Sequence, residues 1–308
     1  MALILRKEGI FTTTQGLGLF GMQRFGVNPR GAMDAFAART ANLLVGNPET
    51  DYVIEAHFPA PEIEFTEDLG FAITGADLAA TLDDMPLANW SLNVAAAGQL
   101  LRFRSIVKGA RAYVAIEGGL EPTFQEARTY STRRLSRGVL LRRLRSEKGI
   151  RPRSRLFLSK DILPPYCRSP RVRVIEGAEF GSLEDKSIEL FKVSGFTVTK
   201  ESDRMGFRLS GPPLKAVSDY EMLSAAVTFG TVQLLPDGQV IVLMADHQTS
   251  GGYPRIANVI TADLPLLAQL LPGDTVSFEP VSIKIAEAEL QRVEAVLARL
   301  RVALAARM

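Results

Sequence analysis

The segment Met244-Ala245-Asp246-His247-Gln248-Thr249-Ser250-Gly251-Gly252-Tyr253-Pro254 concentrates polar chemistry in one short run. Asp246 can serve as a base or as a hydrogen-bond acceptor. Gln248, Thr249 and Ser250 supply polar contacts, and Gly251 and Gly252 expose backbone N–H groups beside Tyr253. Together they suit a small anionic or amide-bearing ligand. The same run also reads as a tight β-connection whose Asp and Thr satisfy their own backbone. The residues alone leave both readings open. A second polar knot is Ser202-Asp203-Arg204-Met205-Gly206-Phe207-Arg208-Leu209. Arg204 and Arg208 flank a glycine and can grip a carboxylate or phosphate through bidentate hydrogen bonds, or pair structurally with a neighbouring acid.

Gly16, Gly18 and Gly21 form a G-x-G-x-x-G. A dinucleotide site needs these glycines between a strand and a helix start, with an acid about 20 residues on. Ile10–Thr14 suits the strand. Downstream, however, Gly26 and Pro29-Arg30-Gly31 break the chain, and Arg39–Leu44 holds no carboxylate. The motif reads as a tight glycine loop. Between Arg128 and Arg155 the chain carries ten arginines and one lysine against the single acid Glu147. Tyr130 is the only interleaved aromatic short of Phe157, so the run reads as a solvated loop or a surface for an acidic partner before it reads as a nucleic-acid site. As a solvated face, its arginines at 133–145 would be replaceable by serine without loss of thermal stability.

Other constellations are missing. There is no G-x-x-x-x-G-K-[ST] and no G-x-S-x-G, and the two histidines, His57 and His247, show no zinc-ligand spacing. With 308 residues, 46% hydrophobic and a net charge of +2, the chain is of ordinary globular composition and long enough for two domains. The single cysteine, Cys167, excludes an internal disulfide and reads as an inert core thiol in a reducing compartment. The start, Met1–Lys7, has the wrong charge order for a secretory signal, and no run approaches the roughly 18 apolar residues of a membrane span. A cytoplasmic protein with no membrane partner is expected.

The elements that must hold these residues are mostly strands. Residues 71–74, 100–103, 112–116 and 172–175 are short β-type runs. Val240–Met244 lacks alternation and reads as a strand buried on both faces, preceded by a hairpin turn at Asp237-Gly238 and a strand at 231–235. Helices are expected at 34–44, capped by Asp34 and ended by Gly46, at 263–271, and from 286 to the end. In the last, Leu290, Val293, Leu297, Leu300 and Leu304 form one apolar stripe that packs on its own domain. Gly98–Phe103 and Gly273–Phe278 echo each other as turn-then-strand. With Ile162–Tyr166 between them, two similar β-rich domains are expected, 1–160 and 161–308.

The runs "GVNPRGAMDAFAARTANLLVGN", "AITGAD", "YVAIEGGL", "SDRMGFRLSGP" and "VIVLMADHQTSGGYPRIANVITADL" resemble the family of the C-type component of 5-oxoprolinase. That family takes in the second subunit of allophanate hydrolase, the antagonist of a sporulation-kinase inhibitor, and part of the biotin-dependent carboxyltransferase region of urea carboxylase. The resemblance runs from about Ile10 to Phe278. It implies a mostly β fold of two cyclophilin-like β-barrel domains in tandem, with a few helices. It also implies a related small subunit and a larger hydrolase subunit as partners, and a small amide-bearing substrate. The implied reaction opens 5-oxoproline to glutamate with ATP in the assembled complex. No cofactor is implied for this chain alone, and biotin enters only if the chain is a carboxyltransferase. A non-catalytic regulator binding a paired small subunit or kinase inhibitor is the alternative.

On this resemblance Asp246 is the catalytic residue. Gln248, Thr249, Ser250, Gly251, Gly252 and Tyr253 bind substrate, Arg204 and Arg208 anchor an anionic group or a covering loop, and Asp34 orders the N-terminal half of the site. The sequence departs from the family pattern at Gly16 and Leu19, where an aspartate and an arginine are expected. It departs again at Phe124–Thr129, where a G-S-R-S-T pattern is expected, and at Arg173–Ala178, which stands for R-V-x-P-G-P.

Overall fold

The computed structural model describes residues 2–121, 134–145, 157–217 and 222–306. The chain divides into two compact units. The first comprises Met1–Gly18, Asp34–Pro164 and Ala295–Met308, and the second comprises Leu19–Met33 and Pro165–Glu294.

In chain order the first unit contains β1 (Leu3–Lys7), β2 (Thr12–Gln15), α1 (Ala35–Leu44), β3 (Val53–His57), β4 (Glu62–Phe65) and β5 (Leu69–Asp77). It continues with β6 (Ala80–Leu82), β7 (Met85–Pro86), β8 (Ser91–Ala95), β9 (Leu100–Phe103), β10 (Lys108–Ile116) and β11 (Leu140–Leu141). Six strands form one sheet, β11-β1-β4-β9-β6-β7, and five form another, β2-β3-β10-β5-β8. A single apolar cluster draws on both, with Leu3, Phe65 and Leu101 from the first and Ile54, Phe71 and Val114 from the second. The Glu-Ile-Glu-Phe of β4 alternates as a half-buried strand should, turning Ile63 and Phe65 inward. β5 and β10 are buried along most of their length instead. Helix α1 packs against these two strands, and Thr74 Oγ1 on β5 donates to the Ala37 carbonyl at 2.7 Å.

Asp34 caps α1, its Oδ1 accepting from Ala37 N–H at 2.9 Å. The Asp34 N–H donates to the Tyr113 hydroxyl at 2.8 Å, which in turn donates to Glu55 at 2.9 Å. All three residues are buried, and burial raises the Tyr113 pKa well above its ordinary value, with the charges of Glu55 and Asp34 adding to the rise.

The second unit contains β12 (Arg171–Glu176), α2 (Asp185–Val193), β13 (Phe196–Val198), β14 (Gly206–Ser210), β15 (Ala225–Ala226) and β16 (Thr231–Leu234). After these come β17 (Val240–Leu243), β18 (Ser250–Gly251), β19 (Arg255–Val259), α3 (Leu264–Ala268), β20 (Thr275–Pro280) and α4 (Ile283–Ala305). From Ala295 onward α4 counts with the first unit. Seven strands close into a barrel in the order β12-β19-β16-β17-β14-β13-β20. Closure comes from the one parallel pair, β12 with β20, running from Arg171↔Ser277 to Val174↔Pro280. Val172, Val232, Val242, Phe207 and Phe278 fill the core, and Phe191 of α2 stacks on Phe278 with ring centroids 4.8 Å apart.

The expectation of two barrels is therefore corrected: among the described residues one barrel closes, and the sheets of the first unit stay open. The echoed strands show why. β20 reaches β12 and seals the ring, whereas β9 lies inside an open sheet between β4 and β6. With α1 packed on one face of the five-stranded sheet and the six-stranded sheet sharing its other core, the first unit buries its apolar surface by layering. Further corrections concern helices and the cysteine. The predicted helix at 263–271 is only α3, after a 3₁₀ turn at Thr261–Asp263; past Ala268 the chain leaves the helix, Leu270 N–H turning back to the Leu267 carbonyl and Leu271 N–H donating to the Asp274 carboxylate. Cys167 is exposed, not a core thiol. The glycine loop after β2 leads to a 3₁₀ turn, Gln23–Phe25, and not to a helix. In the C-terminal stripe Leu297 and Leu304 are buried, while Leu290 is exposed. Among the described residues no helix is long and apolar enough to cross a membrane.

Phe124–Thr129 and much of the arginine run lie outside the described residues. Within them, Arg143 pairs with Glu67 at 3.6 Å, and Arg145 forms a two-pronged ion pair with Asp51, whose side chain is buried. That part of the run is structural. Arg145→Ser is expected to lower the unfolding free energy by about 1–3 kcal/mol, the cost of stripping a charged partner from a buried carboxylate. The exposed Arg137→Ser is expected to leave it within about 0.5 kcal/mol. Urea titration of both variants checks the contrast.

Candidate functional site

The polar segment after β17 begins at the end of a barrel strand. β17 pairs with β14 from Gly206↔Leu243 to Leu209↔Val240, which brings Arg204 and Asp246 side by side just beyond the two strands. The backbone joins them first, Asp246 N–H donating to the Arg204 carbonyl at 2.8 Å. The side chains join them again. Arg204 Nε donates to Asp246 Oδ2 at 3.0 Å and Nη2 to Oδ1 at 2.8 Å, a bidentate fork. Asp203 prepares the turn, its carboxylate accepting from the N–H groups of Met205 and Gly206 at 2.7 and 3.2 Å. Gly206 lets the Ile241 side chain lie close, since a Cβ there would stand 2.7 Å from its Cδ1.

A third segment completes the arrangement. Arg204 Nη2 also donates to the Gly31 carbonyl at 2.7 Å, and Asn28 Nδ2 donates to the Asp246 carbonyl at 3.1 Å. Residues 28–31 belong to the Leu19–Met33 excursion, so distant sequence meets in one place within the second unit. Arg204 is buried, whereas the Asp246 side chain keeps 17% of its surface exposed. With one lone pair of each Asp246 oxygen engaged by Arg204, a second on each remains for a ligand N–H.

His247 follows at once and is buried. Its Nδ1 lies 2.5 Å from the Gln248 carbonyl oxygen, which assigns the proton to Nδ1, while Nε2 has no hydrogen-bond partner among the described residues. Burial holds its pKa below the ordinary 6.5, with the Gln248 hydrogen bond and the Asp246 charge opposing. Gln248 and the buried Gln233 place their amide nitrogens 3.3 and 2.8 Å from where a Cβ on Gly251 would be. Gln233 Nε2 also donates to the Tyr253 carbonyl at 3.2 Å. Ser250 and Gly251 form β18, which pairs with β15 outside the barrel, and Ser250, Gly252 and Tyr253 are exposed along this ribbon. The Thr249 carbonyl accepts from Val227 N–H at 3.3 Å. Arg255 anchors the far end, its guanidinium forked onto Glu179 at 3.0 and 2.7 Å and donating to the Ala226 carbonyl at 3.2 Å. This pairing holds the Glu179 carboxyl below the usual range.

Among the predicted residues, Asp246 and Arg204 are brought into direct contact, and Gln248 through Tyr253 continue from them. Arg208 is not brought to Asp246: it lies on β14 with its side chain exposed, near Glu201. Asp34 belongs to the first unit, where it is buried as a helix cap. Sequence reasoning missed Asn28, Arg30, Gly31, Gln233 and the Glu179–Arg255 clamp. Pro29-Arg30-Gly31 signals a turn, but nothing in it announces a partner more than 170 residues away. Among the described residues no group of three or more His, Cys, Asp or Glu could hold a metal ion.

The sequence model of the carboxyltransferase domain, subdomains A and B, matches residues 25–280, which span every segment of this arrangement. The chain belongs to that family. It is a carboxyltransferase-like protein closely related to the C-type component of 5-oxoprolinase. It is 38% identical to that component of Haemophilus influenzae over 283 residues, 91% of each chain. It is 35% identical to that of Escherichia coli over 282 residues, 90% of this chain and 91% of the other. The crystal structure of K. lactis urea amidolyase superposes with a TM-score of 0.85 at 25% identity, over 96% of this chain. This chain spans only 20% of that larger protein.

Removing a buried fork leaves a carboxylate and a carbonyl unpaired, so Arg204→Met is expected to cost about 2–4 kcal/mol in urea unfolding. Arg208→Ala is expected to cost under about 0.5 kcal/mol. For His247 the unfolded chain binds the proton more readily than the fold, so stability falls as pH drops below 6.5. The loss between pH 7 and pH 5 is expected to shrink in His247→Gln, read by urea midpoints at the two pH values.

Proposed function

We propose that this chain is a subunit of an ATP-dependent complex of the 5-oxoprolinase type and contributes part of its amide-substrate site. The reading rests on the 38% identity to the C-type component of 5-oxoprolinase across nine-tenths of both chains. The fixed acceptor at Asp246 agrees with it. An unstrained lactam is a poor electrophile. Phosphoryl transfer from ATP to its carbonyl oxygen makes the ring carbon a better electrophile. Water adds there, the C–N bond breaks with the nitrogen leaving as the protonated amine, and a second water hydrolyses the resulting acyl phosphate to glutamate and phosphate. In this reading the nucleotide is held by another subunit, since the sequence has no phosphate loop of the Walker type.

The chain's own residues bind and orient. Asp246 accepts the lactam N–H while Arg204 keeps the carboxylate from turning. Gln248, Thr249, Ser250 and the backbone N–H groups of Gly251 and Gly252 supply the remaining polar contacts, and Tyr253 covers them. The partners are a related small subunit and a larger hydrolase subunit, and the complex is cytoplasmic. A carboxyl-transfer reading draws on the superposition with urea amidolyase. It requires a biotin carrier supplied by another chain.

Affinity purification of the tagged chain from its native cell, followed by phosphate release with 5-oxoproline, tests the choice. The expected result is 5-oxoproline-dependent ATP hydrolysis by the recovered complex. Asp246→Asn is expected to reduce it about ten- to a hundredfold with all chains still present, the loss of a hydrogen bond to a charged group. Undiminished turnover in that variant removes Asp246 from the reaction. A silent complex containing an avidin-reactive chain favours carboxyl transfer.

A further inference from the structure

Beside the Arg204–Asp246 fork the second unit holds a second cation. Arg30 sits between the buried Pro29 and Gly31 with φ at +58, a left-handed conformation that side-chain-bearing residues adopt at a cost. The turn is pinned on three sides. Leu19 N–H donates to the Pro29 carbonyl at 2.6 Å, Arg204 to the Gly31 carbonyl at 2.7 Å, and Asn28 to the Asp246 carbonyl at 3.1 Å. Glycine would be at ease there, yet the chain carries arginine and accepts the strain.

That guanidinium is half-buried and makes no hydrogen bond or ion pair with another described residue. Burial lowers its pKa, Asp246 opposes the change and Arg204 adds to it, so Arg30 stands in the field of both members of the fork. Each oxygen of the nearby Asp246 carboxylate already receives one hydrogen bond from Arg204. A planar fork of donors carried on a pinned turn in a half-buried place matches a carboxylate.

We infer that Arg30 is the carboxylate anchor of the site, gripping an acid group on the ligand whose N–H is accepted by Asp246. The inference deepens the amide reading given above and rests on it for the second half of the ligand. The carboxylate and the N–H of the ligand are then read by two residues 216 positions apart.

Calorimetric titration of the full chain with three probes tests it: 5-oxoproline, 2-pyrrolidone (the same ring without the acid) and cyclopentanecarboxylate (an acid without the amide). Arg30→Gly removes the guanidinium while easing the backbone, so the fold is retained and its melting temperature is the control. The expected result is a loss of about tenfold or more for both acids in Arg30→Gly, with 2-pyrrolidone unaffected. The anchor is overturned if the variant binds the two acids as tightly as the parent, or if the parent binds neither at millimolar concentration. If 5-oxoproline binds through Arg30 no more tightly than cyclopentanecarboxylate does, the anchor stands and the amide reading fails.

Discussion

Burying a guanidinium is the constraint around which the second unit is organised. Taking a charge out of water costs several kcal/mol, and the cost is offset only when geometry and hydrogen bonding are nearly complete. Arg204 meets that condition by combining the Asp246 fork with the Gly31 carbonyl. Three segments must therefore arrive together: the excursion at 28–31, the turn at 203–206 and the strand exit at 246. Each is useless to the guanidinium without the other two. The same requirement leaves Asp246 rigid and partly open, which is the state a binding residue needs before a ligand arrives.

Barrel closure supplies the frame for that meeting. Because β14 and β17 are neighbours in a closed ring, the exits of both strands are held at one end with little freedom to separate. The Arg173–Asp263 fork and the Glu179–Arg255 fork tie the chain at two further points, and Gly177 allows the approach because a Cβ there would collide with the Arg255 carbonyl. The change from the family's proline-rich pattern at 173–178 thus preserves the residues that the packing uses, Arg173 and Gly177. Outside the ring, the β15–β18 ribbon carries Gly252 and Tyr253 into solvent, where a ligand or a partner chain can meet them.

The first unit solves the burial problem differently. Its two open sheets share one core, and α1 packs against β5 and β10. Asp34 belongs to that solution. A carboxylate buried under a helix N-terminus, joined through its N–H to Tyr113 and onward to Glu55, is held for folding.

Much of the local structure was legible in the residues. The run Val240–Met244 without alternation, a strand as far as Leu243, the Asp237-Gly238 turn, the Asp34 cap and the strand at Leu100–Phe103 follow from short-range rules. The chemistry of Asp246 and Arg204 was also visible, as residue types able to form a fork. What the sequence could not decide was which edges meet and which charges pair. Closing a sheet depends on whether the last strand reaches the first, and β9 and β20 look alike until β20 finds β12. Arg204 and Arg208 are equal as sequence, yet alternation along β14 and the turn at Asp203 send one to Asp246 and the other to solvent. Arg30 read only as part of a breaker, because its place beside the fork is set by contacts across more than 170 residues. Local patterns are set by a few adjacent residues; closure and pairing are properties of contacts across the whole chain, and the tertiary structure alone decides them.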